Sequence, residues 1–416
     1  MKRKHTSKTL LSLLLVSAML ILSGCGGAED LTKDITPNQV STSQISDAEN
    51  ATATDFALRL FRASADESEN TLLSPLSVLS ALAMTANGAE EETLREMEEV
   101  LGMTTDELNA YLHACMKSLP QGEGYKLHLA NAVWLKDDES FTVSEDFLQT
   151  NVDHYGAEIY RAPFDEKACE KINAWVKKQT DGMIPEILQQ LPDEAVMCLV
   201  NALAFEAEWS QPYEEMQVRD GVFTREDGTE QAAEFMYSDE GYYLADDMAT
   251  GFMKYYKGYK YAFAALLPNE GVSVDEYLAA LDGESLHTML ANPQSDTVFA
   301  AIPKFEVEYG TELSEVLSGM GMDDAFDPER ADFGSLGTSD SGGLYISQVI
   351  HKTFIAVAEK GTKAGAATAV VMAEGDALIE EPKEVYLDRP FVYMLVDCEN
   401  GTPFFIGIMM DVSNQG

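Results

Sequence analysis

The chain has 416 residues, and acidic side chains dominate its charge: 71 Asp and Glu stand against 28 Lys and Arg, a formal net charge of −43 at pH 7. Without the four basic residues that precede Leu10, 24 basic residues remain against 71 acidic ones, a net charge of −47. Nucleic acid and heparin-like polyanions are therefore excluded as partners, because binding them needs a basic surface. The charge favours solubility and the attraction of cationic proteins.

The first 24 residues predict a signal peptide. Residues 1–8 carry four basic side chains, and the thirteen residues from Leu10 to Leu22 are almost wholly apolar. A spanning helix needs about 20 residues, whereas a charged start and a short apolar run are typical of an export signal. Ser23, Gly24 and Cys25 complete a segment that resembles the lipobox of bacterial lipoproteins, which implies that Cys25 becomes a lipid-modified N-terminus. The alternative is an ordinary signal peptide with an incidental cysteine.

The composition divides the rest of the chain into two parts. Residues 25–50 are polar and acidic with little to bury, which predicts a flexible tether between a lipidated Cys25 and the folded part. Residues 51–416 contain no repeat and no Pro/Ser/Gly-rich linker, which predicts a single large domain. We therefore expect an extracellular monomer, anchored through lipid to the outer face of a bacterial membrane.

Four further cysteines, Cys115, Cys169, Cys198 and Cys398, follow no metal-binding pattern, because no C-x-x-C occurs and the gaps fit no metal framework. Cys198 lies in a continuous apolar run and is predicted to be a small core residue. We expect no structural disulfide, although an exported chain could form one. Which of the four would pair is left open.

The first elements of the domain are predicted to be a short strand and two helices. Ser74 suits a helix N-cap and Pro75 a first helical residue, and Gly88 is expected to stop that helix. A second helix opens in the acidic run at Glu90, with acids at its positive end, and ends at Gly102.

The middle of the chain predicts buried strands around an amphipathic helix. Leu127–Leu135 and Val196–Phe205 are apolar on both faces, which is typical of central strands. Lys171–Lys177 has a helical stripe of inward-facing residues. Four later runs also predict strands: Phe263–Pro268, Val298–Glu308, Val385–Val396 and Phe404–Met410.

The stretch from Glu359 to Leu378 has the Ala and Gly content of a loop but the alternation of a strand. Side chains of a strand alternate between its faces, so one face would carry only small or apolar residues: Thr362, Ala364, Ala366, Thr368, Val370 and Met372. Lys363 falls on the other face. The stretch could be buried in a sheet in one state and exposed in another, or it could be an Ala-rich linker.

These patterns resemble the serpin family of serine protease inhibitors. From Glu359, Glu-x-Gly-Thr-x-Ala-x-Ala-Ala-Thr-Ala is similar to the hinge of the serpin reactive-centre loop, and the run that begins at Asp388 is similar to the segment after it. Asn70–Gly102 resembles the helix-B and helix-C region, and the resemblance covers Ala51–Val412. It implies an α+β serpin fold with three β-sheets, about nine helices and an exposed, insertable reactive-centre loop at about 359–388.

The resemblance also assigns residues to roles. The hinge would comprise Glu359, Gly361, Thr362, Ala364, Ala366, Ala367 and Thr368. The shutter, a latch beneath the main sheet, would comprise Ser74, Ser77, Asn201 and His351, with Trp209 in the breach at the top of that sheet. The implied function is that of a suicide substrate: a serine protease cleaves the loop, forms a covalent acyl-enzyme, and is trapped when the hinge inserts into the sheet.

The spacing of serpin loops sets the expected reactive bond. Seventeen residues counted from Glu359 end at Gly375, so the bond would join Gly375 and Asp376. Offsets would move it to the alternatives Met372, Ala373 and Glu374. No Lys or Arg occurs between Lys363 and Lys383, so elastase-like or subtilisin-like proteases are the expected targets, and acid-selective proteases are the runner-up.

Other functional classes lack sequence support. No nucleophile, phosphate-binding or metal motif accompanies the six histidines, so we expect no catalytic residues, no metal and no cofactor. His351 could form a triad with Ser74 or Ser77, but a buried polar cluster is favoured. A non-inhibitory serpin acting as a binding module remains the main alternative. The strand order argues against a substrate-binding lipoprotein of a transporter.

Overall fold

The computed structural model describes residues 27–65, 69–119, 124–138, 140–192, 194–338, 343–362 and 382–412. The described residues contain nine α-helices: α1 (Asp47–Ser64), α2 (Pro75–Ala86), α3 (Glu91–Leu101), α4 (Thr105–Ser118), α5 (Glu145–Tyr155), α6 (Glu166–Gln179), α7 (Val274–Ala280), α8 (Gly283–Ala291) and α9 (Ser314–Gly319). Their strands are β1 (Glu29–Asp30), β2 (Thr71–Leu73), β3 (Tyr125–Lys136), β4 (Thr142–Val143), β5 (Glu158–Ala162), β6 (Met197–Glu208), β7 (Val218–Thr224), β8 (Glu230–Ala245), β9 (Ala249–Tyr255), β10 (Tyr261–Pro268), β11 (Gln294–Pro303), β12 (Phe305–Glu312), β13 (Gly337–Thr338), β14 (Gln348–Ala358), β15 (Gly361–Thr362), β16 (Lys383–Tyr386), β17 (Phe391–Asp397) and β18 (Thr402–Met409).

These strands form two large sheets and a small one. The main sheet has seven strands in the order β1-β5-β3-β6-β15-β14-β12. The second sheet has nine strands in the order β16-β11-β8-β9-β10-β17-β18-β2, with β7 paired to β8, and β13 and β4 form the third. The expected α+β fold with three sheets and about nine helices is therefore confirmed.

Alternate residues of β6 divide the core into layers. Leu203 and Phe205 face the second sheet and belong to an apolar cluster that fills the space between the two large sheets. Val200 and Ala202 point to the opposite face and pack beneath α6 in a separate apolar cluster. Because successive side chains of a strand point to opposite faces, β6 is buried on both sides, as its continuous apolar sequence predicts.

The predicted helix boundaries of the first block match the structure closely. The side chain of Ser74 accepts a hydrogen bond from the backbone N–H of Ser77 at 3.3 Å, and Pro75 is the first residue of α2. Helix α2 ends at Ala86, and α3 ends before Gly102, which adopts a φ of 80°. That left-handed conformation favours glycine, which is why the chain stops the helix there.

The N-terminal segment differs from the flexible tether predicted for residues 25–50. From residue 27 onward it lies on the folded body: Glu29 and Asp30 pair as β1 with Arg161 and Tyr160 of β5. Asn38 binds Asp153 of α5 through both its backbone N–H and its side-chain amide, at 2.6 and 2.9 Å. The composition misled the prediction because backbone pairing at a sheet edge stabilises a segment whatever its side chains.

Helix α1 also begins earlier than the predicted domain boundary. It starts at Asp47, where Ser46 and Glu49 form a capping box: each side chain hydrogen bonds to the backbone N–H of the other. Such a reciprocal cap satisfies two backbone donors of the first turn that would otherwise lack partners. The acidic stretch before Ala51 therefore includes the start of a helix, which composition alone does not indicate.

Candidate functional site

The main sheet contains a seam, the boundary between β6 and β14, that is open at one end. Along most of its length the two strands pair directly and in parallel, from Gln348 opposite Cys198 to Phe354 opposite Ala204. Beyond that point they separate, and β15 lies between them. Gly361 and Thr362 pair with Ala358 and Val357 of β14 and, on the other side, with Glu208 and Ala207 of β6.

Both residues of β15 are buried, and their chemistry fits the position. Gly361 has a φ of 147°, and a Cβ atom there would lie 1.9 Å from the backbone oxygen of Ala207. Only glycine can occupy that position without moving β6. Thr362 is fully buried, and its hydroxyl lies 2.5 Å from the hydroxyl of Tyr256. The small polar side chain of Thr362 thus faces the core on the predicted face of the stretch.

Trp209 joins the turn before β15 to the second sheet. Its indole N–H donates to the backbone oxygen of Ala358 at 2.9 Å, and its backbone N–H donates to the backbone oxygen of Lys360 at 2.9 Å. Its ring stacks on Tyr256 with centroids 4.3 Å apart. Since Tyr256 also contacts Thr362, the predicted breach residue and the hinge share one partner.

Glu359, the third predicted hinge residue that the structure describes, forms an ion pair with Lys304. Its carboxylate lies 2.6 Å from the ammonium of Lys304, which also contacts Glu234 at 2.9 Å. Partial burial pushes the pKa of Glu359 upward, but the hydrogen bond from Lys304 and further contacts outweigh it, so the pKa lies below its ordinary value. The backbone oxygen of Glu359 also accepts the N–H of Tyr213 at 2.8 Å.

A buried lysine supports these contacts from beneath. Lys254 has a 2% exposed side chain and forms an ion pair with Glu240 at 2.8 Å. Its ammonium lies 4.3 Å from the ring centre of Tyr213 and 5.5 Å from that of Trp209. A desolvated cation near an aromatic face is attracted to it, so Lys254 fixes the two rings that hold the hinge.

The four predicted shutter residues meet at the middle of the seam, and all are buried. The backbone N–H of Ser74 donates to His351 Nε2 at 3.1 Å, which places the imidazole proton on Nδ1. Nδ1 then donates to the side-chain oxygen of Asn201 at 2.5 Å. The Ser77 hydroxyl donates to the side-chain oxygen of Asn131 at 2.9 Å. This network ties α2 to β3, β6 and β14.

The shutter is neutral and incompletely satisfied. Burial lowers the pKa of His351 to about 3, so the imidazole is uncharged at neutral pH. Within the described ranges, the side-chain amide nitrogens of Asn131 and Asn201 are buried without a hydrogen-bond partner. An unpaired buried donor is costly. The closed seam therefore leaves hydrogen-bonding capacity unused.

Within the part of the chain that the structure describes, the shutter residues do not form a catalytic triad. His351 receives the backbone N–H of Ser74 and not its hydroxyl, and its other nitrogen contacts an amide in place of a carboxylate. Among the described residues, no three His, Cys, Asp or Glu side chains are placed to hold a metal ion. No helix in that part of the chain is long and apolar enough to cross a membrane.

Several site residues lie outside the described residues. They are the lipidation residue Cys25, the hinge residues Ala364, Ala366, Ala367 and Thr368, and the reactive-bond candidates Met372, Ala373, Glu374, Gly375 and Asp376. The sequence interpretation missed Tyr213, Tyr256, Lys254 and Glu240, which surround the hinge. No local pattern marks these four, because each becomes significant only through a contact distant in sequence.

Comparisons with known proteins agree with this geometry. The family model described as Serpin (serine protease inhibitor) matches residues 51–412, and the chain therefore belongs to the serpin family. An uncharacterized serpin-like protein of Thermococcus kodakarensis is 33% identical over 365 residues, covering 86% of this chain and 84% of that protein. The leukocyte elastase inhibitor of Equus caballus is 30% identical over 375 residues, covering 85% and 97%.

A solved structure is also similar to this chain. The thermophilic serpin Tengpin in its native state is 44% identical and matches with a TM-score of 0.88, covering 92% of this chain and 99% of that one. The relatives include proteins named as protease inhibitors, and serpins generally act as inhibitors and not as catalysts.

Proposed function

We propose that this chain inhibits serine proteases as a suicide substrate, by loop cleavage, acyl-enzyme formation and strand insertion. The observation that carries the proposal is the two-sided pairing of Gly361 and Thr362 inside the main sheet. These two residues already lie between β6 and β14, and the rest of the hinge would continue the same strand. The open end of the seam is therefore a starting point from which a longer strand can grow.

The register of β15 predicts how far the strand would extend. Gly361 lies opposite Glu208 and Thr362 opposite Ala207, so continuing the antiparallel pairing sets Val371 opposite Cys198. Met372 would then lie opposite Met197, the first residue of β6. The inserted strand would comprise residues 361–372. At about 3.3 Å per residue, the strand would carry an attached protease roughly 40 Å along the sheet.

Each face of that strand suits its surroundings. Ala364 and Ala366 would lie beside Phe205 and Leu203, in the apolar layer between the large sheets. On the other face, Ala367 and Ala369 would lie beneath α6, beside Ala202 and Val200. Lys363, the single charge, would lie beside Glu206 at the partly exposed end of β6.

The shutter supplies a specific partner for the hinge. The same register sets Thr368 opposite both Asn201 of β6 and His351 of β14, between two side chains that now bond to each other. A threonine hydroxyl can both donate and accept, so Thr368 could replace the broken contact. It could also accept the Asn201 N–H that has no partner in the closed seam.

Insertion would lower the free energy of the cleaved protein. It exchanges one parallel row of hydrogen bonds for two antiparallel rows, which are slightly more stable per residue. About ten additional backbone hydrogen bonds at ~0.5–1.5 kcal/mol each correspond to roughly 5–15 kcal/mol. The uncleaved fold is then kinetically trapped and is not the most stable state.

We place the reactive bond between Gly375 and Asp376, three residues beyond the inserted strand, with Met372, Ala373 and Glu374 as alternatives. The protease serine would attack the Gly375 carbonyl carbon, the peptide bond would break, and Asp376 would leave as a new amine. The absence of Lys and Arg between Lys363 and Lys383 favours elastase-like or subtilisin-like targets. The acidic body would attract cationic proteases, and this attraction would weaken as salt rises.

We also propose that the mature chain is a monomer that acts outside the cell, anchored by a lipid on Cys25. The support is the resemblance of the segment before Cys25 to a lipobox. Because β1 fixes Glu29 on the body, only a few residues would separate the lipid from the folded domain. The domain would therefore lie close to the membrane surface.

Mixing the protein with elastase and separating the products on a denaturing gel tests the proposal. A complex that survives denaturant, accompanied by release of a peptide that begins at Asp376, is the expected result. Elastase whose active-site serine is already blocked serves as the control and forms no complex. Clean cleavage without any complex would instead indicate a non-inhibitory serpin acting as a binding module.

A further inference from the structure

The main sheet has a gap beside β3. Strand β5 pairs with β3 only from Ala132 onward, where Ala132 lies opposite Glu158. Just before that point, residues 129–131 of β3 have a paired neighbour among the described strands on the β6 side alone. The gap arises because α5 ends at Tyr155 and the chain turns at Gly156, whose φ of 57° is left-handed, shortly before β5 begins. The edge of β3 therefore faces a space that no described strand fills.

This space is a cavity of about 180 Å³. Part of its lining is apolar and includes Met84 of α2 and Met116 of α4. Another part is polar and aromatic, and includes Glu158 of β5 together with Trp175 and Gln179 of α6. Methionine side chains are flexible and adapt to apolar groups of different shapes. The described lining thus combines an adaptable apolar surface with one carboxylate.

The Glu158 carboxylate is partly buried and accepts three hydrogen bonds. Its Oε2 accepts the Tyr160 hydroxyl at 2.5 Å and the indole N–H of Trp175, and its Oε1 accepts the side-chain amide of Gln179 at 2.9 Å. Burial, and after it the adjacent carboxylate, raises the pKa of Tyr160, so its hydroxyl stays protonated and donates. Since a carboxylate has about four acceptor positions, one position on Oε1 stays available to a ligand.

The negative charge of this carboxylate has no positive partner. All three donors are neutral, and within the described part of the chain Glu158 forms no ion pair with a lysine, arginine or histidine. Glu29 of the neighbouring strand β1, by contrast, is paired with Arg161. Neutral donors stabilise a charge but do not cancel it, and a partly buried charge attracts an opposite one more strongly than an exposed charge does. The cavity therefore favours a positively charged ligand.

The indole of Trp175 adds a second attraction for a cation. Its ring makes edge-on contacts with Trp134 and Tyr160, with ring centroids 6.4 and 6.2 Å apart, and these contacts fix its position. Cations are attracted to aromatic faces, and tryptophan attracts them most strongly. Because the Trp175 N–H donates to Glu158, the ring and the carboxylate lie side by side. A carboxylate, an aromatic ring and an apolar surface together suit an ammonium ion that carries an apolar body.

We propose that this cavity binds a small organic cation, a primary ammonium compound with a short apolar body, through the Glu158 carboxylate. The ammonium group donates to Oε1, and the apolar body packs on Met84, Met116 and Leu129. An anion of the same shape is repelled by Glu158, and a neutral molecule leaves the carboxylate without a positive partner. The site goes beyond the proposed inhibition of proteases and does not depend on it.

Isothermal titration calorimetry of the whole protein tests the ligand class with three probes that share one apolar body: n-hexylammonium, n-hexanol and hexanoate. We expect n-hexylammonium to bind one site per chain with a dissociation constant of about 1 mM or below. The alcohol should bind at least about tenfold more weakly, and hexanoate should show no saturable binding. Absence of saturable ammonium binding, equal binding of the alcohol, or saturable binding of hexanoate overturns the inference.

Two matched variants test the role of Glu158. Glu158→Gln keeps an acceptor oxygen for the neighbouring donors but removes the charge, and it should weaken n-hexylammonium binding at least about tenfold. Glu170→Gln makes the same change of charge at an exposed position of α6 outside the cavity lining and should leave binding unchanged. Unchanged binding in the first variant, or equal weakening in both, would mean that the ammonium responds only to the overall negative charge and would overturn the inference.

Tryptophan fluorescence locates the ligand even if Glu158→Gln folds poorly. Because Trp175 lines the cavity, n-hexylammonium should change the emission of the unaltered protein, with the same midpoint as the calorimetric titration. Trp175→Phe keeps an aromatic ring at that position and should lose this change. An emission change of equal size in Trp175→Phe, or none in the unaltered protein, would show that the ligand lies elsewhere and would overturn the inference.

Discussion

The open end and the middle of the seam are held by different chemistry. At the open end, the hinge contacts aromatic rings and a half-exposed ion pair: Trp209, Tyr256 and the Lys304–Glu359 contact. At its middle, β6 and β14 are joined by the buried neutral hydrogen bond between Asn201 and His351. Contacts with exposed charges exchange readily with water, whereas a buried network must break before an inserting residue can replace its hydrogen bonds.

This difference indicates where the barrier to insertion lies. The open end has already accepted Gly361 and Thr362, so extending β15 there needs little rearrangement. The next obstacle is the shutter, six residues further along the strand at Thr368. We therefore expect insertion to start at the open end and the shutter to set its rate.

The largest expected effect follows cleavage between Met372 and Leu378. The freed hinge becomes a central strand, and its roughly 5–15 kcal/mol of new hydrogen bonding should raise the thermal midpoint by roughly 10–30 °C. Differential scanning calorimetry of cleaved and intact protein measures this directly. A cleaved protein that melts at or below the intact one would contradict the insertion mechanism.

Acid should weaken the shutter through His351. The imidazole titrates near pH 6.5 when the chain is unfolded but at about 3 in the folded protein because of burial. The unfolded state binds more protons between these values, so the stability that the neutral imidazole provides is present above about pH 6.5. It is lost as the pH falls toward 3, by roughly 5 kcal/mol in all.

Denaturant unfolding across that pH range checks the prediction. His351→Gln is the matched control, because glutamine keeps hydrogen-bonding atoms and does not titrate in the range. Below pH 6.5, the free energy of unfolding of the protein with His351 should fall steadily relative to that of the glutamine variant. Parallel pH profiles for both would show that the shutter does not depend on the charge of this residue.

Thr362→Arg should convert the inhibitor into a substrate. Thr362 is fully buried against Tyr256 in the uncleaved protein, so an arginine there would be expelled from the sheet. Insertion would then have to bury an unpaired guanidinium at a cost of several kcal/mol. Insertion should slow by at least about hundredfold relative to deacylation, with little change in protease binding. Thr362→Ser keeps the hydroxyl and is the control. Full trapping by the arginine variant would show that the prediction is wrong and that residue 362 does not face the core in the inserted strand.

The smallest expected effect concerns the ion pair at the open end. Glu359→Gln removes a half-exposed contact to Lys304, which should change the free energy of unfolding by at most about 1 kcal/mol. Glu234→Gln removes the other partner of the same lysine and leaves the hinge contact in place. Only the first variant should alter the rate of trapping. Equal effects on trapping would mean that the pair has no specific role in the hinge.

The sequence predicted more about the seam than about its surroundings. Period-two alternation placed Thr362 on the apolar face, and it is buried there. The family resemblance named four shutter residues, which lie together. Both predictions depend on local spacing or on a motif. The positions of the reactive bond and the lipidated cysteine lie outside the described residues and stay predictions.

The failures have a common physical cause. Tyr256 and Lys254 act through residues far away along the chain, and nothing in their own neighbourhood sets them apart from other tyrosines and lysines. The tether prediction failed because composition counts side chains, whereas β1 is held by backbone hydrogen bonds to β5. Contacts that are non-local, or that do not involve side chains, leave no periodic pattern to detect.

Hydrogen–deuterium exchange of the cleaved protein tests the central claim most directly. If the hinge has inserted, the amides of residues 363–372 will exchange at least about a thousandfold more slowly than in an unfolded peptide of the same sequence. The amides of β6 and β14 should stay protected on both sides of the new strand. Exchange of residues 363–372 at the rate of the unfolded peptide would contradict strand insertion and the mechanism built on it.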